Sequence, residues 1–336
     1  MWKDIRKILL LAAVLLGLLS CSGSSDENGD GNGDGNGTPT ITTLASGLMN
    51  PVGIAVDAAS VYWTESQDGS SAPYLGETRV KKVGLNGGAV TTLVTEPGQP
   101  NYVNTWGMAI DANSVYWIQS SQTAQTLKKV ALNGGPATTL AINYPMALAL
   151  DASFVYYSEM GALTYSGTIN RVGKNGGGQV SIAGGQGEPR FIAVNASGVY
   201  WLNAWDGRIN KTGISGGAIT TLVTLASNTW NWASPPIIAA DANYLYFIDY
   251  SNGSIKRIGL NGGTPVTLAT SNIPVGLAVD ATNVYWTDQS GHIYKVALAG
   301  GSASNLLVTG SPTFIALDSG YVYWLDGSSV RKTAKW

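Results

Sequence analysis

One short sequence phrase occurs seven times along this 336-residue chain and constrains its fold more than any other feature. Each copy is an apolar run ending in Asp or Asn, then a tight turn, then an aromatic pair, as in GIAVDAASVYW and GLAVDATNVYW. The residues that end the runs are Asp57, Asp111, Asp151, Asn195, Asp241, Asp280 and Asp318. Their spacing of about 40 to 55 residues is that of one supersecondary unit in a repeat protein. The chain is therefore expected to be an array of seven similar units.

Each unit reads as four short strands separated by polar turns. In the sixth unit these are GLAVD, VYWTD, HIYKVAL and SASNLLV, rich in the β-branched and aromatic residues that favour strands. The Asp after the first strand is interpreted as a turn residue that accepts backbone N–H groups, and Asn-Gly-Gly triplets such as 86–88 predict tight hairpins. Apolar residues at successive positions indicate that neighbouring sheets cover both faces. Together these features predict an all-β, seven-bladed β-propeller of four-stranded blades.

The two ends of the repeat array predict how the ring closes. The seventh unit stops after its third strand, 330–336, whereas segment 40–45 (TITTLA) matches the fourth-strand sequences at 89–94 and 218–223. We therefore expect the N-terminal strand to join the last blade, which removes an exposed sheet edge. The propeller is predicted to span residues 40–336.

Residues 1–21 are predicted to be a lipoprotein signal peptide. Lys3, Arg6 and Lys7 precede an apolar stretch, 8–19, that is too short to span a bilayer comfortably but suits a signal-peptide core. The sequence Leu-Leu-Ser-Cys at 18–21 resembles the bacterial lipobox, which makes Cys21 the expected lipid attachment site and the membrane a partner through that anchor. An ordinary secretory signal is the alternative. Ser22 resembles the outer-membrane sorting pattern, so an extracytoplasmic, lipid-anchored location at a bacterial outer membrane is expected.

Residues 22–39 are predicted to be a disordered Gly/Asn/Asp tether, because they offer little apolar surface to bury. Asp30, Asn32 and Asp34 open like a calcium loop, but Ile41 stands where the last carboxylate ligand would be required. A spacer is therefore favoured over a calcium site, and no metal or cofactor is predicted.

The overall charge argues against nucleic acid as a partner. Charged residues make up 12% of the chain and the net charge is −2, whereas nucleic-acid binders carry a basic excess. The single cysteine excludes an internal disulfide, so the fold must be stabilised by packing.

The phrase Tyr285-Trp286-Thr287-Asp288, with variants at 62–65, 116–119, 200–203 and 323–326, resembles the YWTD repeats of low-density-lipoprotein-receptor-type propellers. The resemblance spans all seven units. In that family the repeat Asp makes inter-blade hydrogen bonds, which implies the same role for the residues at the ends of second strands, Glu65, Glu159, Asp249, Asp288 and Asp326. Receptor-type propellers have six blades, so ligand sites are not transferred to this chain.

Loop length predicts where a ligand would bind. In an up-and-down blade, the second–third turns and the blade-to-blade crossovers emerge on one face, named here the variable face, because only these connections differ in length between units. Binding residues concentrate on such loops. The candidate binding residues there are Tyr74, Tyr102, Trp106, Tyr165, Arg190, Trp205, Asp206, Trp230, Trp232 and Tyr250. Trp230 and Trp232 either form an exposed platform for a partner or are buried within their own loop.

These observations favour a protein- or glycan-binding module over an enzyme. His292 is the only histidine and is expected to face solvent, and the chain contains neither a G-x-S-x-G elbow nor an H-E-x-x-H helix motif. No catalytic residue is predicted. The alternatives are a scaffold subunit of an envelope assembly, and a propeller lyase or lactonase that uses carboxylates at the mouth of the central channel.

Overall fold

The computed structural model describes residues 40–67, 76–97, 104–120, 125–226, 237–308 and 310–335. The chain divides into two units, Met1–Thr38 and Pro39–Trp336, and the described residues all belong to the second. The predicted signal peptide, Cys21 and the tether lie outside the described residues.

Every regular element within those ranges is a β-strand. The first fourteen are β1 (Thr42–Ser46), β2 (Pro51–Val56), β3 (Ser60–Gln67), β4 (Glu77–Gly84), β5 (Thr91–Pro97), β6 (Asn104–Ile110), β7 (Ser114–Ser120), β8 (Gln125–Ala131), β9 (Thr138–Ile142), β10 (Pro145–Leu150), β11 (Phe154–Glu159), β12 (Gly167–Gly173), β13 (Val180–Gln186) and β14 (Pro189–Asn195). The others are β15 (Gly198–Asn203), β16 (Arg208–Thr212), β17 (Thr220–Thr224), β18 (Ile238–Ala240), β19 (Tyr244–Asp249), β20 (Ser254–Gly259), β21 (Val266–Thr270), β22 (Pro274–Val279), β23 (Asn283–Asp288), β24 (His292–Ala297), β25 (Ser304–Val308), β26 (Pro312–Leu317), β27 (Tyr321–Asp326) and β28 (Ser329–Ala334).

These strands form seven four-stranded antiparallel sheets, which are the blades of a β-propeller. Blades 1 to 6 each contain four consecutive strands, from β2–β5 to β22–β25, and blade 7 has the order β1-β28-β27-β26. The first strand of each blade contacts the first strand of the next, and β26 contacts β2, so the ring is complete. The predicted fold class is confirmed.

The N-terminal strand closes this ring as predicted. β1 runs antiparallel to β28, with Thr42 opposite Lys332 and Ser46 opposite Ser329. Leu44 and Ala45 are buried in one cluster with Trp63 of blade 1 and Tyr323 of blade 7. The first and last strands of the described chain therefore share a sheet, and the junction between blades 7 and 1 packs like the others.

The aromatic pair of each repeat explains how the blades stack. Tyr62 points towards blade 2, where it packs with Trp117, while the adjacent Trp63 packs with Tyr323 of the preceding blade. The same alternation recurs at Tyr116 with Tyr157. Neighbouring side chains in a strand point to opposite faces, so one dipeptide supplies both interfaces of its blade. Each of these rings is at most 2% exposed.

The Asp that follows each first strand has the predicted turn role and a second one. Asp57 Oδ1 accepts the backbone N–H groups of Ala59 and Ser60, each at 2.7 Å, and its Oδ2 accepts the hydroxyl of Tyr62 at 2.8 Å. The same tyrosine contact recurs at Asp111, Asp151, Asp241 and Asp318. One carboxylate thus connects the turn to the aromatic pair.

Basic residues near the end of each third strand join the blades on the face opposite the variable face, named here the constant face. Lys82 Nζ donates to the carbonyl oxygen of Leu132 in blade 2 at 2.7 Å, and Lys332 Nζ in blade 7 donates to Leu85 of blade 1 at 2.6 Å. The remaining members of this basic ring are Lys129, Arg171, Lys211, Arg257 and Lys295. Every junction between neighbouring blades therefore contains a side-chain hydrogen bond to a backbone carbonyl.

Candidate functional site

The described candidate residues lie on the variable face, as the strand order requires. Tyr165 lies between β11 and β12, Arg190 is the second residue of β14, Trp205 and Asp206 lie between β15 and β16, and Tyr250 directly follows β19. Tyr74, Tyr102, Trp230 and Trp232 lie outside the described residues, and only the strand position of Trp106, in β6, is described. The candidates at 165–206 belong to blades 3 and 4, whereas Tyr250 belongs to blade 5.

Tyr165 and Trp205 belong to a larger group of exposed apolar side chains in blades 2 to 4. We name this group the aromatic surface: Ile142, Tyr144, Met160, Leu163, Tyr165 and Trp205, with exposed fractions of 55%, 47%, 37%, 77%, 47% and 54%. Exposed apolar residues on the constant side, such as Val90, Val180, Val266 and Tyr321, belong to different blades. Single exposed apolar residues are common, whereas a group of neighbours marks an interaction site.

Backbone and side-chain contacts make the aromatic surface continuous. Met160 N donates to Tyr144 O at 3.3 Å, which joins the β9–β10 crossover to the β11–β12 loop. Gly187 lies between the Tyr165 ring and the base of the Trp205 side chain, because a Cβ placed on it would be 3.0 Å from Cε1 of Tyr165 and 3.2 Å from Cβ of Trp205. Trp205 N also donates to Gly187 O at 3.2 Å. Connections from three successive blades therefore meet at this surface.

Two aromatic residues of this surface occupy a backbone conformation that favours glycine. Ser166 N donates to Leu163 O at 3.1 Å, and Tyr165, the third residue of that turn, has φ of 58°. A turn of this kind usually places Gly or Asn at that position. Tyr144 has φ of 55° in its crossover. Such strained conformations cluster at binding sites, where the surrounding structure holds them.

Arg190 is a charged residue next to the aromatic surface on an innermost strand. Its side chain is 12% exposed, and its guanidinium lies 3.7 Å from the Glu188 carboxylate. Burial lowers the pKa of Arg190, and the neighbouring Glu188 charge partly opposes that effect. Phe191, the next residue, has φ of 45°. The pair Arg190-Phe191 stands where blades 1 and 6 have Val-Gly, at 52–53 and 275–276. Blade 4 therefore carries a charge and a bulky ring at positions where those blades have neither.

Asp206 shapes the turn that displays Trp205. Its Oδ1 accepts the backbone N–H of Arg208 at 3.1 Å, and the Asp206 side chain is 12% exposed. The Arg208 guanidinium lies 3.7 Å away and is 54% exposed. Asp206 is therefore a positioning residue for Trp205, while Arg208 presents its charge to solvent.

The acidic residues at the ends of second strands differ in whether they have the inter-blade role that the family resemblance implies, and Asp288 and Asp326 have it. At Asp288 and Asp326 the crossover from the preceding blade donates hydrogen bonds, from Ser271 at 3.2 Å and Ser311 at 2.6 Å. Glu65 instead pairs within its own blade with the Trp63 indole N–H and the Lys81 ammonium, both at 2.8 Å. Asp249 contacts Ser251 and Lys256, and Glu159 contacts Thr168, all within their own blades.

His292 is half-buried rather than facing solvent as expected. Its Nδ1 lies 3.3 Å from Asp288 Oδ1, and its ring stacks on Tyr294 with centroids 5.4 Å apart. The third strand places His292 beside the acidic residue of the same blade, which accounts for the difference from the sequence prediction.

Glu159 is a partly buried acidic residue with few stabilising partners. Burial raises the pKa of its carboxyl, and hydrogen bonds from Thr168 and Asn170 only partly counter this effect. One of its carboxylate oxygens is buried and has no hydrogen-bond partner among the residues that the structure describes. Asp249 shows the opposite balance, because the Lys256 ammonium at 2.7 Å and the Ser251 hydroxyl outweigh burial and lower its pKa.

Tyr250 belongs to a separate cleft on the variable face, between blades 5 and 6. The cleft has a volume of about 460 Å³ and lies between three connections, which are β19–β20, β21–β22 and β23–β24. Its lining residues are Tyr250, Ser251, Asn252, Gly253, Ser271, Asn272, Ile273 and Gln289. None of these side chains is ionisable near neutral pH.

The described residues contain neither a metal-binding cluster nor a membrane-spanning helix. Within those ranges no group of three or more His, Cys, Asp or Glu residues is arranged to hold a metal ion. No helix in the described part of the chain has the length and apolar character to cross a membrane.

Comparison with known proteins adds information about the fold. No family model and no curated protein matches this chain. Among solved structures, it is similar to YCF48 bound to a D1 peptide (10% identity, 89% of this chain and 98% of that chain, TM-score 0.60). It is also similar to the computationally designed Ika8 protein (14% identity, 87% of this chain and 98% of that chain, TM-score 0.56). A chain of a nidogen/laminin complex is similar over a shorter part (21% identity, 60% of this chain and 82% of that chain, TM-score 0.48). The first two likenesses support the propeller fold.

Several residues of both sites were missed by the sequence analysis. Tyr144 and Ile273 each precede a proline at the start of a first strand, Tyr144-Pro145 and Ile273-Pro274, where blade 7 has Ser311. A large apolar residue at this crossover position was an available signal. Leu163 and Gln289 carried no such signal, because their membership of the aromatic surface and of the cleft depends on which loops are neighbours in the folded protein.

Proposed function

We propose that this chain is a lipid-anchored extracytoplasmic protein whose propeller binds a partner protein through the aromatic surface of its variable face. The anchor rests on the sequence alone, in which the only cysteine follows a signal-like apolar stretch. The binding role rests on one observation, the continuous group of exposed apolar side chains in blades 2 to 4. β-Propellers commonly serve as interaction modules, and YCF48, of the same fold, was solved with a bound peptide.

The chemistry of this surface favours a protein over other ligands. Trp and Tyr are the residues that most often dominate protein interfaces, because each supplies a large and rigid contact area. The backbone of Trp205 is held by its bond to Gly187 and by the Asp206 turn, so displaying this side chain costs little backbone entropy on binding. Arg190, Glu188 and Arg208 provide a polar rim. This arrangement of apolar centre and charged edge is typical of protein interfaces.

The binding proposal is tested with a double variant, Tyr165→Ala with Trp205→Ala. The matched control is Val90→Ala with Val266→Ala, two exposed apolar residues that belong to blades 1 and 5. A tagged protein is cross-linked in its native cells, and its partners are quantified by mass spectrometry. We expect the aromatic-surface variant to lose a partner at least tenfold, as for a hot-spot residue, while the control retains it. A partner profile that is the same for both variants contradicts the proposal.

A lipid surface is the competing occupant and is tested separately. The Cys21→Ala protein, which cannot be acylated, is mixed with phosphatidylethanolamine–phosphatidylglycerol vesicles. Co-flotation that depends on Trp205 and Tyr165 would show that this face binds lipid and would contradict the protein-binding proposal. In cells, Cys21→Ala should release the protein from the membrane fraction; unchanged fractionation contradicts the anchor.

Trp230 and Trp232 provide an additional test of the sequence prediction. If their loop forms part of the interface, the double alanine variant should lose the same partner while its melting temperature changes by only a few degrees. A large loss of stability with retained binding would favour the alternative in which both rings are buried in their own loop.

A further inference from the structure

We propose that the cleft between blades 5 and 6 is a binding site for a neutral oligosaccharide. It is separate from the aromatic surface, so its test does not depend on the protein-binding proposal. The observation that carries this inference is the chemistry of the lining. The lining combines amides and hydroxyls, which both donate and accept hydrogen bonds, with the half-buried aromatic residue Tyr250 and the exposed aliphatic residue Ile273.

Three hydrogen bonds hold the walls of the cleft together before any ligand arrives. Ser271 N donates to Gly253 O at 2.8 Å, and Gln289 N donates to Ile273 O at 3.1 Å. Asn272 Nδ2 donates to the hydroxyl of Ser290 at 2.8 Å. The three connections that form the cleft are therefore fixed relative to one another, which reduces the entropy that binding would cost.

Gly253 is needed for this close approach of the walls. Its φ is 64°, and a Cβ at this position would lie 2.3 Å from the carbonyl oxygen of Ser271. A residue with a side chain would separate the β19–β20 turn from the neighbouring crossover and open the cleft. The pocket is therefore built by the local sequence Tyr-Ser-Asn-Gly, 250–253.

The carboxylates nearest to the cleft are occupied by neighbouring side chains, so the lining presents uncharged groups, which favours a neutral ligand. Asp249 precedes Tyr250, but its Oδ2 lies 2.7 Å from Lys256 Nζ and its Oδ1 accepts the Ser251 hydroxyl at 2.6 Å. Asp288 precedes Gln289 and is 1% exposed, with His292 Nδ1 at 3.3 Å. The groups that remain for a ligand are uncharged.

The combination of groups in the lining matches the surface of a sugar ring. The hydroxyls of a sugar both donate and accept hydrogen bonds, as the Asn252, Asn272 and Gln289 amides do, and its C–H face packs on aromatic and aliphatic groups. Tyr250 supplies the aromatic group, and Ile273, which is 47% exposed, supplies the aliphatic one. A volume of about 460 Å³ lies in the range of small-ligand sites.

The test is saturation-transfer NMR with three neutral trisaccharides, maltotriose, cellotriose and N-acetylchitotriose, and with tri-galacturonate as the charged comparison. We expect at least one neutral trisaccharide to bind and tri-galacturonate not to bind. Gln289→Ala, which changes an exposed amide without entering the core, should weaken the binding at least tenfold, and Tyr250→Phe should retain it. Asn305→Ala, an exposed amide on β25, is the matched control and should bind as the wild type does.

Three results would overturn the inference. These are no transfer to any neutral trisaccharide at millimolar concentration, preferential binding of tri-galacturonate, or an unchanged affinity in both Gln289→Ala and the Tyr250→Ala variant. Loss of partner capture by the Trp205 variant would not affect this result, because that residue lies in blade 4.

Discussion

Acidic side chains at two positions of the repeat have opposite electrostatic balances. Asp151 and Asp318 are partly buried, which raises the pKa of each carboxyl. Hydrogen bonds from backbone N–H groups and a tyrosine hydroxyl lower the pKa by more than burial raises it. The net result is a pKa below the ordinary value of Asp. Glu159 has fewer hydrogen bonds, so burial dominates and its pKa is raised. Asp249, at the same repeat position as Glu159, has a lowered pKa because Lys256 and Ser251 contact it. The partners of each carboxylate therefore decide whether it stabilises the fold at neutral pH.

Glu159→Gln should stabilise the protein at neutral pH. Because burial raises the folded-state pKa of Glu159, the ionised side chain disfavours folding at pH 7, and this cost disappears as the pH falls below the unfolded pKa of about 4.3. The melting temperature of the variant should exceed that of the wild type at pH 7, and the difference should shrink towards pH 4. Glu77→Gln, whose surface ion pair with Arg79 is worth little, is the control. A difference in melting temperature between Glu159→Gln and the wild type that is the same at pH 7 and pH 4 would contradict this prediction.

At the scale of strands and blades, the aromatic pair and its carboxylate act as one unit. The Tyr side chain reaches one neighbouring blade, the adjacent aromatic ring reaches the other, and the Asp holds the Tyr hydroxyl. Burial raises the pKa of Tyr62, Tyr156 and Tyr285 to about 12, with a further contribution from the Asp of the same repeat.

This unit predicts a loss of stability in strong alkali. Since the folded-state pKa is raised above the unfolded value of about 10, the contribution of each Tyr is complete below pH 10 and is lost as the pH rises through about 12. The free energy of unfolding should fall steeply over that interval, and most tyrosinate absorbance should appear only there. A titration of the buried tyrosines near pH 10 with unchanged circular dichroism would show that the Asp–Tyr unit does not stabilise the fold.

Neighbouring first strands approach so closely that a side chain on one glycine would clash with the next blade. A Cβ on Gly276 of blade 6 would lie 2.5 Å from the carbonyl oxygen of Thr313 in blade 7. Gly276→Ala should therefore lower the free energy of unfolding by about 1 to 3 kcal/mol, the usual cost of overpacking. Gly184→Ala is the control, because nothing lies within 4 Å of that position. Equal denaturation midpoints for the two variants would contradict the close approach.

At the scale of the whole molecule, stability depends on joining the two ends of the repeat array. The β1–β28 pairing completes blade 7, and the bond from Lys332 to the Leu85 carbonyl completes the basic ring at the same junction. A propeller that lacks this junction exposes a sheet edge and the buried sides of blades 1 and 7.

Deletion of residues 40–46 should therefore destabilise the protein strongly. The variant loses the β1 ladder and the buried Leu44 side chain, and such a side chain alone is worth about 2 to 5 kcal/mol. A matched deletion of residues 22–39 should leave the melting temperature unchanged, since the tether is predicted to lie outside the fold. Similar melting curves for both deletions would show that β1 is not required for closure.

The blade repeat was predictable because its determinants are local. The Asp turn, the aromatic pair and the Asn-Gly-Gly hairpin act within a few residues, so each can be recognised from its own sequence. The matching fourth-strand sequence at 40–45 then predicted closure, and the observed β1, Thr42–Ser46, differs by only two residues at its start and one at its end. The basic ring recurs in every third strand but was not recognised, because its acceptors are carbonyls of the next blade.

The sequence by itself determined the number of blades, their four strands and which connections share a face. Periodicity of side chains and turn chemistry operate within one unit and are repeated seven times. Only the tertiary structure decided that Tyr165 and Trp205 meet across Gly187, that His292 pairs with Asp288, and that Gln289 lines the same cleft as Tyr250. Those relations depend on how far each blade is rotated and displaced against the next. The packing of whole sheets sets these distances, and no short stretch of sequence encodes them.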